Sequence, residues 1–319
     1  DLINTPINVV YTRSINNPTG AGRIINRGKK DNWVLLSAFD EDSPYIIPGE
    51  EQSFTRLGGK SSSNIFRYKG ALSDGSLFLG LIATDRRMVN NNGSGSVVGF
   101  DTHYRFNDKY QVEFQSVFSH TQEPNDSTLV SSATFGDNHT FTFDGESFSG
   151  NAVKIEFDRN TEHWRLEAGY DHKTPTFRAE NGFESSNNSR RIFGQSVWIY
   201  HPDNFFKQVI GGFHTGVEHN FGGEQKAKYI VGFGNLSMPR QTRLQIQYVR
   251  RLQYRFKDTE LNGTYDLKLN LNSQFSERYQ FGTNIGRHVA PVRFLEVPEE
   301  GRLATNRFWV RMQASKQLN

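Results

Sequence analysis

Charged side chains fall at every second position along many segments of this 319-residue chain, opposite residues that are mostly apolar. The basic members are Arg67, Lys69, Arg105, Lys154, Arg165, Lys226, Lys228, Arg243, Arg251, Lys268, Arg307 and Arg311. The acidic members are Asp101, Glu113, Glu156, Glu167 and Asp266, joined by Asp171 and Glu218. On extended backbone alternate residues share a face, so these groups line one side of a sheet. Two chemistries follow. Opposite signs on neighbouring strands pair into ladders that hold a desolvated interior together. Alternatively, the same groups line a hydrated passage whose basic excess favours anions. The two readings stand level, because register is not legible in the sequence.

Signatures of enzymes are missing. The chain has no Gly-x-Ser-x-Gly elbow, Walker loop, His-Glu-x-x-His or dinucleotide fingerprint. It has no cysteine, which removes disulfides, thiolate metal sites and thiol nucleophiles. Ser119 and His120 are adjacent, so on a strand they face opposite ways and make a poor nucleophile–base pair. His214 and His219 also point to opposite faces, being five residues apart. A non-enzymatic protein without a cofactor is expected. Calcium in loops is a secondary expectation, at Asp40, Glu41 and Asp42, at Asn125 and Asp126, or at Asp137 with Asp144. The net charge of +3 carries no clustered basic face, which argues against nucleic acid as a partner.

The elements that position these charges are strands. Opposite the ionic set stand Phe100, Tyr104, Val112, Phe114, Leu166, Leu244, Ile246, Leu267, Leu269, Leu271, Phe308 and Val310. Tyr229, Val231 and Phe233 extend this apolar set opposite Lys226 and Lys228. Many alternating runs are about nine to twelve residues long, enough for a tilted strand to cross hydrocarbon. Further strands are expected over 5–13, 22–27, 32–39, 63–70 and 76–85. Short connections near Lys29, Asp74, Asn107, Asn160, Pro202, Pro239 and Glu277 alternate with longer ones at 41–62, 86–96, 121–148, 172–189, 252–263 and 288–304. The short turn at Phe221, Gly222 and Gly223 breaks that alternation. Part of 121–148 is expected to form an ordered hairpin, and 57–63 an inward-folded loop.

The pattern predicts an all-β fold: an antiparallel transmembrane β-barrel of about sixteen strands, within about fourteen to eighteen, with short periplasmic turns and longer external loops. The apolar set would face lipid and the ionic set the lumen. Abundant aromatics, 26 Phe and 12 Tyr, suit interfacial girdles. Residues 1–319 read as one domain, with a fragment of a longer chain as the alternative. A soluble β-sandwich or propeller is the competing architecture.

Five strings carry a family resemblance: Tyr11-Thr12-Arg13-Ser14-Ile15, Ser63-Asn64-Ile65-Phe66-Arg67, Leu81-Ile82-Ala83-Thr84-Asp85-Arg86, Gly99-Phe100-Asp101, and Pro175 through Phe183. Together they resemble an uncharacterised family of envelope barrels usually found C-terminal to a family-9-like carbohydrate-binding module. The resemblance implies a bacterial outer-membrane location, contact with lipid and lipopolysaccharide, and an association with carbohydrate or with a periplasmic or surface protein. It assigns no catalytic residue. The expected role is a pore or transport channel, or a membrane anchor for a carbohydrate-binding or partner protein. A membrane-anchored carbohydrate-active or lipid-hydrolysing enzyme is the alternative. The chain ends at Asn319 without a terminal aromatic, so a further strand pair beyond it is an expectation.

Overall fold

A computed structural model describes residues 3–89, 93–126, 130–131, 133–136, 138–202 and 204–313. Asp137, one of the expected calcium ligands, lies outside the described residues. The fold is all-β. A 16-stranded antiparallel sheet is built from β1 (Pro18–Arg27), β2 (Asp31–Asp40), β5 (Ser61–Leu72), β6 (Leu77–Met88), β7 (Ser94–Phe106), β8 (Tyr110–Gln122), β11 (Ser147–Asn160), β12 (Trp164–Lys173), β13 (Ser189–Tyr200), β14 (Gln208–His219), β15 (Gln225–Met238), β16 (Thr242–Phe256), β18 (Tyr265–Gln274), β19 (Tyr279–Pro291) and β20 (Glu300–Met312), with the short β17 (Thr259–Glu260) paired to β16. Each strand lies beside its predecessor, an up-and-down order. Two small hairpins stand apart: β3 (Pro44–Pro48) with β4 (Ser53–Leu57), and β9 (Thr134–Phe135) with β10 (His139–Thr140). The all-β class, the strand number and the antiparallel order are those expected from alternation, and β9–β10 is the hairpin expected inside 121–148.

Packing divides the chain into two compact units. The first comprises Asp1–Phe157, Gly169–Arg191 and Asn220–Gly222. Its two sheet faces differ sharply. One is bare, and register lines up Ile24, Leu35, Phe66, Ala83, Val98 and Phe118 along it. A neighbouring row ends in Tyr68, Leu81 and Phe100. Ile24, Phe66, Leu81, Val98, Phe100 and Phe118 are all exposed. Toward the long-loop end the same face turns polar, through Ser37, Asn64, Asp85, Ser96 and His120. Toward the short-turn end it closes on a stack of rings, Tyr104 to Phe106 to Tyr110 to Phe157, with centroids 5.3–6.0 Å apart.

The other face of this unit is covered from β2 onward, whereas β1 is exposed along almost its whole length. One row across it reads Ile25, Val34, Arg67, Ile82, Gly99 and Val117, and the next reads Arg27, Asn32, Lys69, Gly80, Asp101 and Gln115. Val34, Ile65, Ile82, Val97, Val117 and Ala152 are buried here. Thus the ionic face also holds an apolar stripe, which the simple division into greasy outside and ionic inside did not foresee. The N-terminal segment covers it. Residues 5–13, expected as a strand, pair with no sheet edge; only a short 3-10 turn forms, at Thr12–Ser14. Alternation is real in this segment, since Ile7 and Val9 are both buried among Ile82, Val97, Val117 and Phe177. Pro6 has no N–H to give to a ladder. The Ile7 N–H donates to the Gln115 Oε1 at 2.5 Å and the Tyr11 N–H to the Asn181 carbonyl at 2.7 Å. The segment lies on a sheet face rather than along an edge.

The second unit comprises Asp158–Ala168, Ile192–His219 and Gly223–Asn319. Leu271 pairs with Leu244, Leu269 with Ile246 and Leu267 with Tyr248, giving one apolar face. On the opposite face Asn272 pairs with Arg243, Asn270 with Gln245 and Lys268 with Gln247, and Asn284 stands between Asn270 and Arg307. The expected faces of β15 are reversed. Val231 pairs with Val249 and Phe233 with Gln247, on the ionic face, while Ile230 and Leu236 share the apolar one with Ile246 and Tyr248. Lys228 alternates with Tyr229 and therefore stands on the same face as Ile230, not with the ionic set. Gly232 and Gly234 occupy the apolar positions, so hydrophobic alternation pointed to the wrong side, and register shifts near the start of β15, one against β14 and one against β16, disguised it further.

Gly80 shows how closely this register is specified. A Cβ there would lie 2.5 Å from the Arg67 Nη1 and from both Asp101 carboxylate oxygens. Gly80→Ala is expected to split the buried pair and cost about 3 kcal/mol, the scale of breaking such a pair. Denaturant unfolding of the folded chain measures this; a loss below about 1 kcal/mol would show that the pair can shift without penalty.

Candidate functional site: the covered face of the first unit

The five strings quoted from the sequence contribute to one layer of the first unit. Tyr11–Ile15 lies in the N-terminal segment, Ile65 and Arg67 on β5, Ile82 and Arg86 on β6, Gly99 and Asp101 on β7, and Phe177 to Asn181 in the loop after β12. Phe177 is fully buried, and Arg178, Ala179, Glu180 and Asn181 are buried beside it. The loop approaches so closely that a Cβ on Gly150 would fall 2.5 Å from the Phe177 Cα, which is why β11 carries glycine there.

Arginines organise this layer. Arg67 and Asp101 form a two-pronged pair, with Nη2 donating to Oδ1 at 2.8 Å and Nη1 to Oδ2. Arg86, 2% exposed, donates to three backbone carbonyls: Glu180 at 2.7 Å, Pro44 at 3.2 Å and Ser14 at 3.2 Å. One guanidinium on β6 thereby ties down the 174–188 loop, the β3–β4 hairpin and the N-terminal segment. Its planar fork has five donors, which suits this task where a lysine would not. Arg178 donates from Nη1 to the Glu123 Oε1 at 2.5 Å and lies over the Phe148 and Phe135 rings, 4.7 and 5.0 Å from their centroids. Lys173 pairs with Glu184, and Asn188 and Asn220 both donate to the Glu50 carboxylate, at 2.6 and 3.2 Å. The β3–β4 hairpin packs Tyr45 and Ile47 against Met88 and Phe143.

Burial changes the acids here. It raises the Glu123 carboxyl to about 7 against the pull of Arg178, with Glu146 and Asp144 adding to the rise. It also raises Glu180 against Arg178 and Arg86, and Glu184 against Lys173. The Tyr45 hydroxyl is raised by the same desolvation.

The expected ionic residues are distributed unevenly. Only Arg67 and Asp101 among them are buried. Lys154 pairs with Glu156 at 2.9 Å on one strand, Lys226 with Glu218 at 3.5 Å, and Asp266 with both Lys268 at 3.2 Å and His288 at 2.9 Å. Asp171 accepts from Arg191 at 2.6 Å. Lys69 sits over Phe78, and Arg251 over Tyr254. Glu113 and Glu167 are half-buried, while Arg105, Arg165, Arg243, Arg307 and Arg311 are exposed. The structure thus joins some of the set into ladders and leaves others open to solvent. Of the apolar set, Phe100, Tyr104, Ile246, Leu267, Phe308 and Val310 are exposed, and Val112, Phe114, Leu166, Leu244, Leu269 and Leu271 are half-buried.

The loop acids have particular uses. Asp40 accepts from the Asn16 and Asn17 N–H groups, each at 2.7 Å, and from the Ser43 hydroxyl at 3.0 Å; it caps the N-terminal segment. Asp144 joins Glu123 and Glu146, with one carboxylate oxygen from each lying within 4.8 Å of the others. Ser119 faces the buried side and accepts from the Arg178 N–H at 3.3 Å, whereas His120 is exposed and bonds Ser149 at 3.0 Å; they form no dyad. Arg86, Glu123, Arg178 and Glu180 were not singled out as functional in the sequence. Arg86 ends a strand, and the other three lie in long connections, where charge ordinarily signals solvation.

Comparison with known proteins adds little. No family model and no curated protein matches the chain. A crystal structure of BamA from Haemophilus ducreyi lacking POTRA domains 1–3 is similar to it with a TM-score of 0.42 and 7% identity, over 94% of this chain and 76% of that one. A likeness this distant carries no functional assignment.

The titration of Glu123 gives a signed expectation. Its folded value, about 7, lies above the ordinary 4.5, so the folded state holds its proton over that interval while the unfolded state has released it. Packing of Glu123 against Arg178 and its described neighbours is therefore firmest near and below pH 4.5 and weakens as pH rises through about 7. Hydrogen exchange corrected for intrinsic rates should show faster opening around Glu123 at pH 8 than at pH 5. Glu123→Gln should shrink that contrast, leaving a remainder from Glu180 and Glu184. An unchanged contrast would remove Glu123 as its source.

Proposed function

We propose that this chain is a bacterial outer-membrane β-barrel that works as a membrane anchor, with the interior of its first unit filled by its own N-terminal segment and loops. The observation that carries the membrane reading is the bare face. Row after row of Leu, Ile, Val and Phe stands exposed on strands of ten to fifteen residues, far beyond the apolar patch a water-soluble monomer leaves uncovered. Lipid satisfies such a face without a second layer of protein. The polar row at one margin and the stacked rings at the other fit the two interfaces of a bilayer. A sandwich is disfavoured because the bare rows have no second sheet packed on them among the described residues.

The anchor reading rests on the opposite face. A conduit needs hydrated walls, and here Arg67, Arg86, Arg178 and Glu123 are desolvated beneath chain segments held by specific bonds. Lipopolysaccharide and lipid would contact the bare face, and a carbohydrate or a surface or periplasmic protein would be met by the long loops. A gated channel is the second reading, favoured by the exposed Arg243, Arg307 and Arg311 of the second unit.

Two measurements test this. Leu269→Arg should lower the folding yield into lipid vesicles far more than Asn270→Arg, since a basic residue on the lipid face costs about 2–4 kcal/mol near mid-membrane. Equal yields, or a wild-type chain that folds and stays monomeric without detergent, would defeat the membrane reading. In planar bilayers the folded chain should show no steady open conductance. A stable large conductance would replace the anchor with a channel.

A further inference from the structure

Near the short-turn end of the first unit a cavity of about 460 Å³ opens beside β1, whose Arg23, Ile25 and Arg27 line it and are exposed. Its lining includes Arg23, Arg27 and Lys69 and no carboxylate. Arg23, Ile25 and Arg27 alternate on β1 and so share a face, and register places Arg27, Asn32 and Lys69 side by side on β1, β2 and β5. The Lys69 ammonium lies 4.8 Å from the Phe78 ring centroid. Neither Arg23 nor Arg27 makes a side-chain ion pair among the described residues. The acids nearest in register do not neutralise the cluster. Asp101 is held by both prongs of Arg67, and Asp31 alternates with Asn32 and so faces away. The rest of the wall is Asn32 and four apolar residues: Ile3 and Val34 are buried, Phe78 is half-buried and Ile25 is exposed.

We propose that this cavity binds a phosphate monoester or diester attached to an apolar body. Three cations in one recess repel each other, and an anion carrying up to two charges relieves that repulsion. Guanidinium forks match phosphate oxygens in pairs, and Lys69 supplies a movable point charge. The apolar wall is wasted on inorganic phosphate but suits an alkyl or acyl chain beside the charged group. A phospholipid and a soluble phosphorylated amphiphile offer the same chemistry. The site lies wholly within the first unit and does not depend on whether the barrel anchors or conducts.

The experiment uses the full chain folded in nonionic detergent, with heat-modifiable migration confirming the fold of every variant. Titration calorimetry with octyl phosphate should give saturable binding about tenfold or more tighter than inorganic phosphate. Arg23→Gln with Arg27→Gln, and separately Lys69→Gln, should each weaken octyl phosphate binding by about tenfold. Phe78→Ala should reduce the preference for octyl phosphate over inorganic phosphate. Native mass spectrometry from nanodiscs with and without phosphatidic acid separates the sources: a retained phosphatidic acid, lost in the Arg23/Arg27 double variant, identifies lipid, whereas octyl phosphate binding without it identifies a soluble ligand. The proposal is overturned if octyl phosphate shows no saturable binding up to about 10 mM, weaker than the range of specific small-ligand sites. It is equally overturned if the charge variants bind as well as the wild type.

Discussion

The structure of the first unit depends on how desolvated charge is compensated. A guanidinium removed from water costs several kcal/mol unless its donors are met, and removing one partner of a buried pair costs about 3–5 kcal/mol. Arg67, Arg86 and Arg178 are all nearly inaccessible. Each is met differently and in part: Arg67 by a carboxylate, Arg86 by three carbonyls, and Arg178 by a carboxylate and two rings, with the Nε of all three and the Arg178 Nη2 making no hydrogen bond among the described residues. These partners come from segments remote in sequence, so meeting the charges forces the N-terminal segment, the β3–β4 hairpin and the 174–188 loop into one arrangement. The apolar stripe from Ile65 to Ala152 then closes over the same segments through Ile7, Val9 and Phe177. Hydrophobic burial supplies the general drive, and the charges select the geometry.

This makes the two faces of the sheet complementary in purpose. On the bare face, neighbouring strands match apolar side chains in register with no described residue packed over them, and the proposed membrane reading rests on that exposure. On the covered face, small or β-branched residues alternate with ionic ones, leaving room for polypeptide to lie across. Glycines mark the closest approaches: Gly80 between the members of an ion pair, and Gly150 beneath Phe177. The basic recess holding Arg23, Arg27 and Lys69 lies outside this economy of matched charges, and that mismatch is why it reads as a place for an external anion.

The sequence by itself determined the class of fold, because a period of two is imposed by extended backbone wherever the two faces meet different surroundings. Alternation located most long strands within a few residues, and the contrast between polar turn clusters and longer gaps located the connections. It also separated Leu267, Leu269 and Leu271 from Asp266, Lys268 and Asn270 correctly, since that segment has no glycine on its apolar face. It failed on β15, where Gly232 and Gly234 fill apolar positions and carry no hydropathic information. It failed at 5–13 because alternation reports two unlike faces but not whether the backbone pairs with a strand edge or rests on a sheet.

Only the tertiary structure decided which charges are desolvated and what meets them. Arg178 and Glu123 are 55 residues apart, and Arg86 and Glu180 are 94 apart. No local pattern encodes such pairs, and in a loop a lone Arg or Glu is indistinguishable from one that simply faces water. Which charges of this face lie buried and which stand open to solvent therefore belonged to register and loop placement. Those are fixed by long-range packing and hydrogen bonding, whereas the alternation that revealed the strands is fixed residue by residue.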